Sequence, residues 1–324
     1  MIIVEGCDNS GKTTLAKKFA KGLKLGYVKS PGPDANYDWW MKELTLPPDK
    51  LAYSVYDRFY YSELVYGPIL REGIRLVQHQ REVIESMLLT AEPLVVLCNL
   101  RHSKDEFHNR DQILTWEENL QAANAYKKLL IHRAIFTEEH SPASLMNAAR
   151  GHVQQKAGWL KDRKRCPYGR GSMYKPDLMI VGQNFSRNNR WKVPFERSRS
   201  GRVLHTILRR YGVPFNKVWF TNAIKEDGTL NERNLAALSS EMEVIQPKTV
   251  LALGSKASGM LSVLGIEHFK IKHPGFFLRK FRLMEALEKF GEEWENLQLT
   301  GGLTNDEFRR RTDGRFDGVR RESL

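Results

Sequence analysis

Gly6-Cys7-Asp8-Asn9-Ser10-Gly11-Lys12-Thr13, directly behind the apolar run Met1-Ile2-Ile3-Val4, follows the pattern G-x-x-x-x-G-K-[ST]. The apolar run predicts a short buried strand, and 13–22 reads as the helix that leaves the loop. Two glycines let backbone N–H groups wrap a polyphosphate, and the helix N-terminus adds the positive end of its dipole. Lys12 can reach the β- and γ-phosphates, and the Thr13 hydroxyl can ligate Mg²⁺. Residues Gly6 to Thr14 are therefore the expected binding segment for ATP or GTP, with Mg²⁺ as the companion ion.

Around this loop, apolar segments alternate with helical ones. Strands are predicted at Ile2–Glu5, Tyr27–Lys29, Tyr53–Tyr56, Leu94–Leu100 and Arg133–Thr137. Helices are predicted at 61–89, interrupted near Gly67-Pro68, and at 114–131 and 142–150. Such alternation gives a parallel sheet covered on both faces, with ligands gathered at the carboxyl ends of its strands. The phosphate loop follows the first strand, Asp57-Arg58 ends the third, and Arg101 and Arg110 follow the fourth, so these groups should converge.

The run Gly6 to Thr14, with its acidic residue two after the first glycine, resembles the phosphate loop of thymidylate kinases. Tyr56-Asp57-Arg58-Phe59, followed by Ser62, Tyr66 and Gly67, is similar to that family's D-R-[YF] segment. The stretch from Arg101 to Arg110 stands where the family has its arginine-bearing lid. The resemblance covers about 1–150 and implies phosphoryl transfer, which needs positioning and charge neutralisation. It assigns Lys12 and the loop amides to the β/γ-phosphates and Thr13 to Mg²⁺. Asp57 would bind Mg²⁺ through water or orient the acceptor, and Arg58 would hold the acceptor's phosphate. Arg101 and Arg110 would close over the transferring group, a task that suits a guanidinium fork.

Residues 153–175 are rich in Lys, Arg, Gly and Pro and read as a basic linker. A second alternation follows, with strands at Asp177–Val181, Lys217–Phe220 and Thr249–Leu253 and helices at 200–210, 234–245, 255–263 and 277–290. Four segments stand at or beyond strand ends: Gly182-Gln183-Asn184-Phe185, Val193-Pro194-Phe195, Thr221-Asn222-Ala223 and His273-Pro274-Gly275. With Ser200-Gly201-Arg202-Val203-Leu204 and the stretch Ile245 to Gly254, they resemble the uracil-DNA glycosylase superfamily over about 176–280. The resemblance places Asn184 where a residue positions the attacking water and Phe195 where a ring stacks on uracil. It places Asn222 where an amide reads the base edge, and His273 where the departing base's oxyanion is stabilised. Asn184 departs from the Asp of the most active members, and the four iron–sulfur cysteines of some branches are absent. This domain is expected to read a base more than to excise it.

The expected fold is therefore α/β in two domains: a P-loop kinase parallel sheet over 1–152 and a glycosylase-like α/β/α sandwich over 176–290. Residues 291–324 read as a basic tail carrying Arg309-Arg310-Arg311, Arg315 and Arg320-Arg321 among Phe308 and Phe316. Formal net charge is +13 over 324 residues. Residues 1–155 hold 11 Lys and 8 Arg against 7 Asp and 12 Glu, so the whole excess lies in 156–324. That asymmetry suggests a polyanion, with DNA the first expectation, although a solvated basic surface would look the same. Cys7, Cys98 and Cys166 are too scattered for a disulfide framework or zinc site. With no leader or membrane run, the chain reads as soluble and cytoplasmic.

The pairing of modules resembles phage kinases that phosphorylate 5-hydroxymethyl-deoxyuridine in DNA during thymine hypermodification. A base inside DNA must leave the stack before its hydroxymethyl group can accept a phosphate, and a tethered base reader answers that need. Two alternatives stay open: a deoxynucleoside monophosphate kinase fused to an active uracil-DNA glycosylase, and a DNA-binding ATPase with water as its acceptor.

Overall fold

β1 (Ile2–Gly6) is buried along its whole length, as the apolar run requires of a strand covered on both faces. It pairs in parallel with β3 (Ser54–Asp57) and β4 (Leu94–Cys98). β2 (Gly26–Lys29) and β5 (Ala134–Phe136) complete a parallel sheet of order β2-β3-β1-β4-β5. The computed structural model describes 1–100, Lys104, Phe107, 114–185, Asn189, 191–225 and 231–299. It divides into two units, Met1–Lys164 and Arg165–Leu324.

In the first unit, α1 (Lys12–Leu23) lays Ala16 and Phe19 on the sheet beside Ile2, Val4, Val55 and Val96. The predicted 61–89 helix is two: α2 (Tyr60–Arg71) and α3 (Gln78–Ala91). Its break falls after Arg71, because Pro68 is accommodated inside α2 and Glu72 closes that helix in the left-handed region. Short helices at Tyr37–Leu44 and Pro48–Ala52, between β2 and β3, carry no helical period long enough to be read from sequence. α4 (Trp116–Leu130) follows, its Thr115 and Glu118 forming a reciprocal cap.

The expected basic linker over 153–175 is corrected. α5 (Pro142–Arg165) runs through its first half as one helix. Lys156 Nζ donates to the carbonyl of Ala91 at 2.9 Å, and Trp159 Nε1 to that of Thr90 at 2.8 Å. These bonds cap the carboxyl end of α3 and anchor the helix, on which Arg163 is also buried while Arg150, Lys161, Lys164 and Arg165 are exposed. β6 (Arg170–Gly171) occupies part of the second half.

The second unit holds a sheet of order β10-β9-β7-β8-β6. β7 (Leu178–Gly182) lies at its centre, parallel to β8 (Val218–Asn222) and β9 (Thr249–Leu253). β9 pairs in parallel with β10 (Phe269–Ile271), and only β6 runs antiparallel. On one face Leu178, Ile180, Phe220 and Leu251 meet α6 (Arg199–Arg210) and Phe290 and Trp294 of the C-terminal helix. On the other, Trp219 Nε1 and Thr221 Oγ1 donate to Glu241 of α7 (Glu232–Ile245), at 2.9 and 2.8 Å. Helices on both faces give the expected α/β/α order. α8 (Ser255–Val263) matches the sequence reading, but the expected 277–290 helix is two: α9 (Pro274–Lys280) and α10 (Leu283–Leu299). The expected tail thus starts late, since Trp294 is fully buried and Leu297 joins the core.

Candidate functional site

Two groups of residues gather at the carboxyl ends of strands, one in each unit. In the first, Gly6 has φ +150° and takes the chain out of β1 where a Cβ would come within 2.5 Å of the Cys98 carbonyl oxygen. Gly11 caps α1 at φ +79°, with nothing within 4 Å of where its Cβ would stand. Both positions demand glycine, one for close approach and one for backbone conformation. Asn119 of α4 braces the loop from behind: its Oδ1 accepts from Asp8 N at 3.0 Å, and its Nδ2 donates to Asp8 O at 3.3 Å.

Lys12 is buried, 8 % exposed, and donates to the Cys7 carbonyl at 3.2 Å. Burial, aided by the nearby Arg58 charge, lowers its pKa to about 8. Asp8 lies 3.9 Å from Lys12 and pairs with the Arg58 guanidinium. Arg58 adopts φ +69° and stacks on the Tyr66 ring at 4.5 Å from its centroid. Asp57, 3 % exposed, accepts from Tyr27 Oη at 2.9 Å. Lys12, Thr13, Asp57 and Arg58 all line one cavity of about 330 Å³, so the structure brings together four of the residues that sequence assigns to phosphoryl transfer. Arg101 and Arg110 lie outside the described residues.

The same cavity holds groups the sequence reading missed. Arg71 and Arg75 line it, and both bond Glu63, Arg71 Nη2 at 2.7 Å and Arg75 N at 2.9 Å. Glu5 lies behind the phosphate loop, fully buried, accepting from Phe59 N at 2.8 Å, Ser62 Oγ at 2.7 Å and Tyr126 Oη at 3.1 Å. Burial raises its pKa to about 7 against the pull of these bonds. Within the β1 pattern Glu5 reads only as a strand residue, so its partners from two distant helices were invisible.

Hard oxygen donors suit Mg²⁺, and the Thr13 hydroxyl and Asp57 carboxylate face the same cavity beside the open Gly11 backbone. That donor set fits a metal–polyphosphate, whose phosphates Lys12 and the loop amides would hold.

In the second unit, Gly182 and Asn222 are paired in register at the ends of β7 and β8. A Cβ on Gly182 would stand 2.4 Å from Asn222 Oδ1 and 2.7 Å from Phe195 Cζ. Only glycine lets the amide and the ring close on that strand end. Asn222 is 2 % exposed, and among the described residues its Nδ2 has no hydrogen-bond partner. A buried unsatisfied amide is costly, about 1–3 kcal/mol, and marks a place where a ligand would be welcome.

His273 follows β10 and caps α9, its Nδ1 accepting from Gly275 N at 3.0 Å. Burial and the Arg279 charge lower its pKa to about 4, so the ring is neutral and carries its proton on Nε2. That nitrogen can donate to a developing oxyanion. Asn184 stands apart: it is exposed, two residues beyond β7. Phe195 and Asn222 therefore converge at Gly182, His273 follows β10 at the carboxyl edge of the same sheet, and Asn184 is exposed.

Residues 168–298 match the family model described as Uracil DNA glycosylase superfamily. The chain is 29% identical to a probable thymidylate kinase of Archaeoglobus fulgidus, across 31% of this chain and 69% of that protein. It also aligns with the crystal structure of YorR protein from Bacillus subtilis, in complex with phosphorylated GDP. There the identity is 22% and the TM-score 0.38, over 48% of this chain and 97% of that one. The chain thus carries a uracil DNA glycosylase superfamily domain at residues 168–298, preceded by a region that resembles a thymidylate kinase.

Proposed function

We propose that this protein is an ATP-dependent, Mg²⁺-assisted kinase that phosphorylates 5-hydroxymethyl-deoxyuridine within DNA, its second domain binding DNA and presenting the base. One observation carries the reading: a phosphate-loop cavity and, at the end of β8, a buried and unsatisfied Asn222 amide occur in the same chain. The relative named as a probable thymidylate kinase supports phosphoryl transfer to a thymine-like nucleotide. In this scheme Lys12 and the loop amides hold the β- and γ-phosphates of ATP. Thr13 and Asp57 would hold Mg²⁺, which would supply charge neutralisation to the phosphates. Arg58, released from Asp8, meets the phosphate as it moves. Asn222 offers the base edge a donor and an acceptor side by side, Phe195 a stacking plane, and His273 a neutral N–H. Without a carboxylate at 184, water is given no charged base, so the second domain reads the base and leaves its glycosidic bond intact.

Incubation with γ-labelled ATP and DNA carrying hydroxymethyluracil tests this directly. Label should enter the DNA, and Lys12→Ala should abolish the transfer while leaving DNA binding nearly intact. Label entering only free monophosphate, or only inorganic phosphate, would replace the proposal with a nucleotide kinase or an ATPase.

A further inference from the structure

Phe195 is held by an unusual amount of structure for a loop residue. Lys192, Phe195 and Arg197 all lie in the left-handed backbone region, at φ +50°, +58° and +46°. Side chains rarely adopt this conformation, and it persists only where the surroundings hold the backbone in it. Two buried side chains anchor this loop at Val193 and Pro194. Asn189, 7 % exposed, brackets Val193: its Oδ1 accepts from Val193 N at 3.2 Å and its Nδ2 donates to Val193 O. Arg170, fully buried on β6, donates from Nε to the Pro194 carbonyl at 2.9 Å. The same guanidinium reaches His205 Nε2 on α6 at 2.8 Å and lies over the Phe220 ring, 4.3 Å from its centroid. Burial and the Arg170 charge keep His205 neutral, so its Nε2 accepts. Phe220 in turn meets the Phe195 ring edge-on, 6.2 Å between centroids.

We propose that Arg170 is a positioning residue for base recognition: its guanidinium ties β6, the peptide before Phe195, and α6 into one frame that fixes the Phe195 ring against Gly182. This rests on the reading of Phe195 as the plane on which the base stacks. A guanidinium is suited to the task because its donors are fixed in one plane, whose face also packs on an aromatic ring. A lysine ammonium has neither the fork nor the flat face.

The test uses the full chain and two single-stranded oligonucleotides, one with a single hydroxymethyluracil and one with an abasic site there. Their affinity ratio isolates the base contact from backbone grip. Phe195→Ala should lower that ratio about tenfold or more, the size of a lost base–aromatic stack. Arg170→Met, which keeps bulk but removes the donors, should lower it similarly while affinity for the abasic strand stays within about twofold. The double variant should match Phe195→Ala alone, since both changes remove one interaction. Asn189→Ala, at the loop's other anchor, should show the same coupling and serves if Arg170→Met does not fold. Additive losses in the double variants, or equal loss on both oligonucleotides, would overturn the positioning role, as would a wild-type ratio in Arg170→Lys. A wild-type ratio in Phe195→Ala would remove the stacking reading itself, and the Arg170 inference with it.

Discussion

Lys12 shows how one residue's surroundings can be tested as chemistry. Its amine is buried, and its pKa falls to about 8 through desolvation first and the Arg58 charge second. A bound polyphosphate would favour the charged form, so nucleotide binding should take up protons near and above pH 8. Calorimetry in buffers of different ionisation enthalpy should show that uptake, and Lys12→Ala should lose it; equal heats in all buffers would contradict the assignment. Glu5 makes the opposite kind of statement. Its pKa rises from the model-peptide 4.5 to about 7 in the folded chain, so the native state binds more protons than the unfolded one in between. Its contribution is therefore full below pH 4.5 and is lost as pH rises toward 7, by about 3 kcal/mol at 1.36 kcal/mol per pKa unit. Glu5→Gln should remove that component: unfolding at pH 5 and pH 8 should show wild type losing stability relative to the variant at the higher pH. Sequence identified Lys12 because the motif fixes its neighbours locally. It missed Glu5, Asn119 and Arg170 because their partners are 54 to 121, 111 and 24 to 35 residues away in the chain.

At the level of elements, strands were legible wherever both faces are buried, as in β1, β7 and β9, because their apolar runs are continuous. β6 and β10 escaped notice, being two and three residues long and set by pairing with a neighbour. α5 was cut short because its cations dominate its composition, while a few buried contacts, Lys156 and Trp159 among them, decide its course. The end of β7 offers the sharpest test of an element's design. A methyl at Gly182 would meet Asn222 Oδ1 at 2.4 Å and Phe195 Cζ at 2.7 Å, so either the amide or the ring must move. Gly182→Ala should therefore cost about 1–3 kcal/mol of stability in the second unit, as overpacking does. It should also reduce discrimination for a modified base while leaving ATP affinity unchanged. Thermal unfolding and oligonucleotide binding measure the two effects, and a fully tolerated alanine would show that the packing at Gly182 is looser than these distances imply.

For the whole molecule, the division of charge argues for a division of labour. The neutral first 155 residues hold the phosphate loop, and all of the +13 belongs to the remainder. The arginine-rich stretch 309–321 adds to that excess but lies outside the described residues. Neutralising DNA phosphates releases counterions, with a slope of about −0.7 per contact on single strands and −0.9 on duplex. The KM for DNA should therefore rise steeply between about 50 and 200 mM salt, while the KM for ATP, set in a cavity with its own buried cations, should change little. Parallel salt responses would count against separate sites. The same pairing decides between reading and cutting. Asn184 is uncharged and exposed, whereas Asn222 and Phe195 are buried beside Gly182 and His273 is neutral, as the proposed base reading requires. General-base help contributes typically 10²–10⁴-fold, so its absence should leave abasic-site formation on uracil DNA slow or undetectable. Asn222→Ala should nonetheless impair phosphate incorporation into hydroxymethyluracil DNA, because the flipped base would lose its edge contact. Rapid excision by the wild type would favour a bifunctional kinase and glycosylase. Unimpaired incorporation by Asn222→Ala would show that the second domain does not present the base to the first.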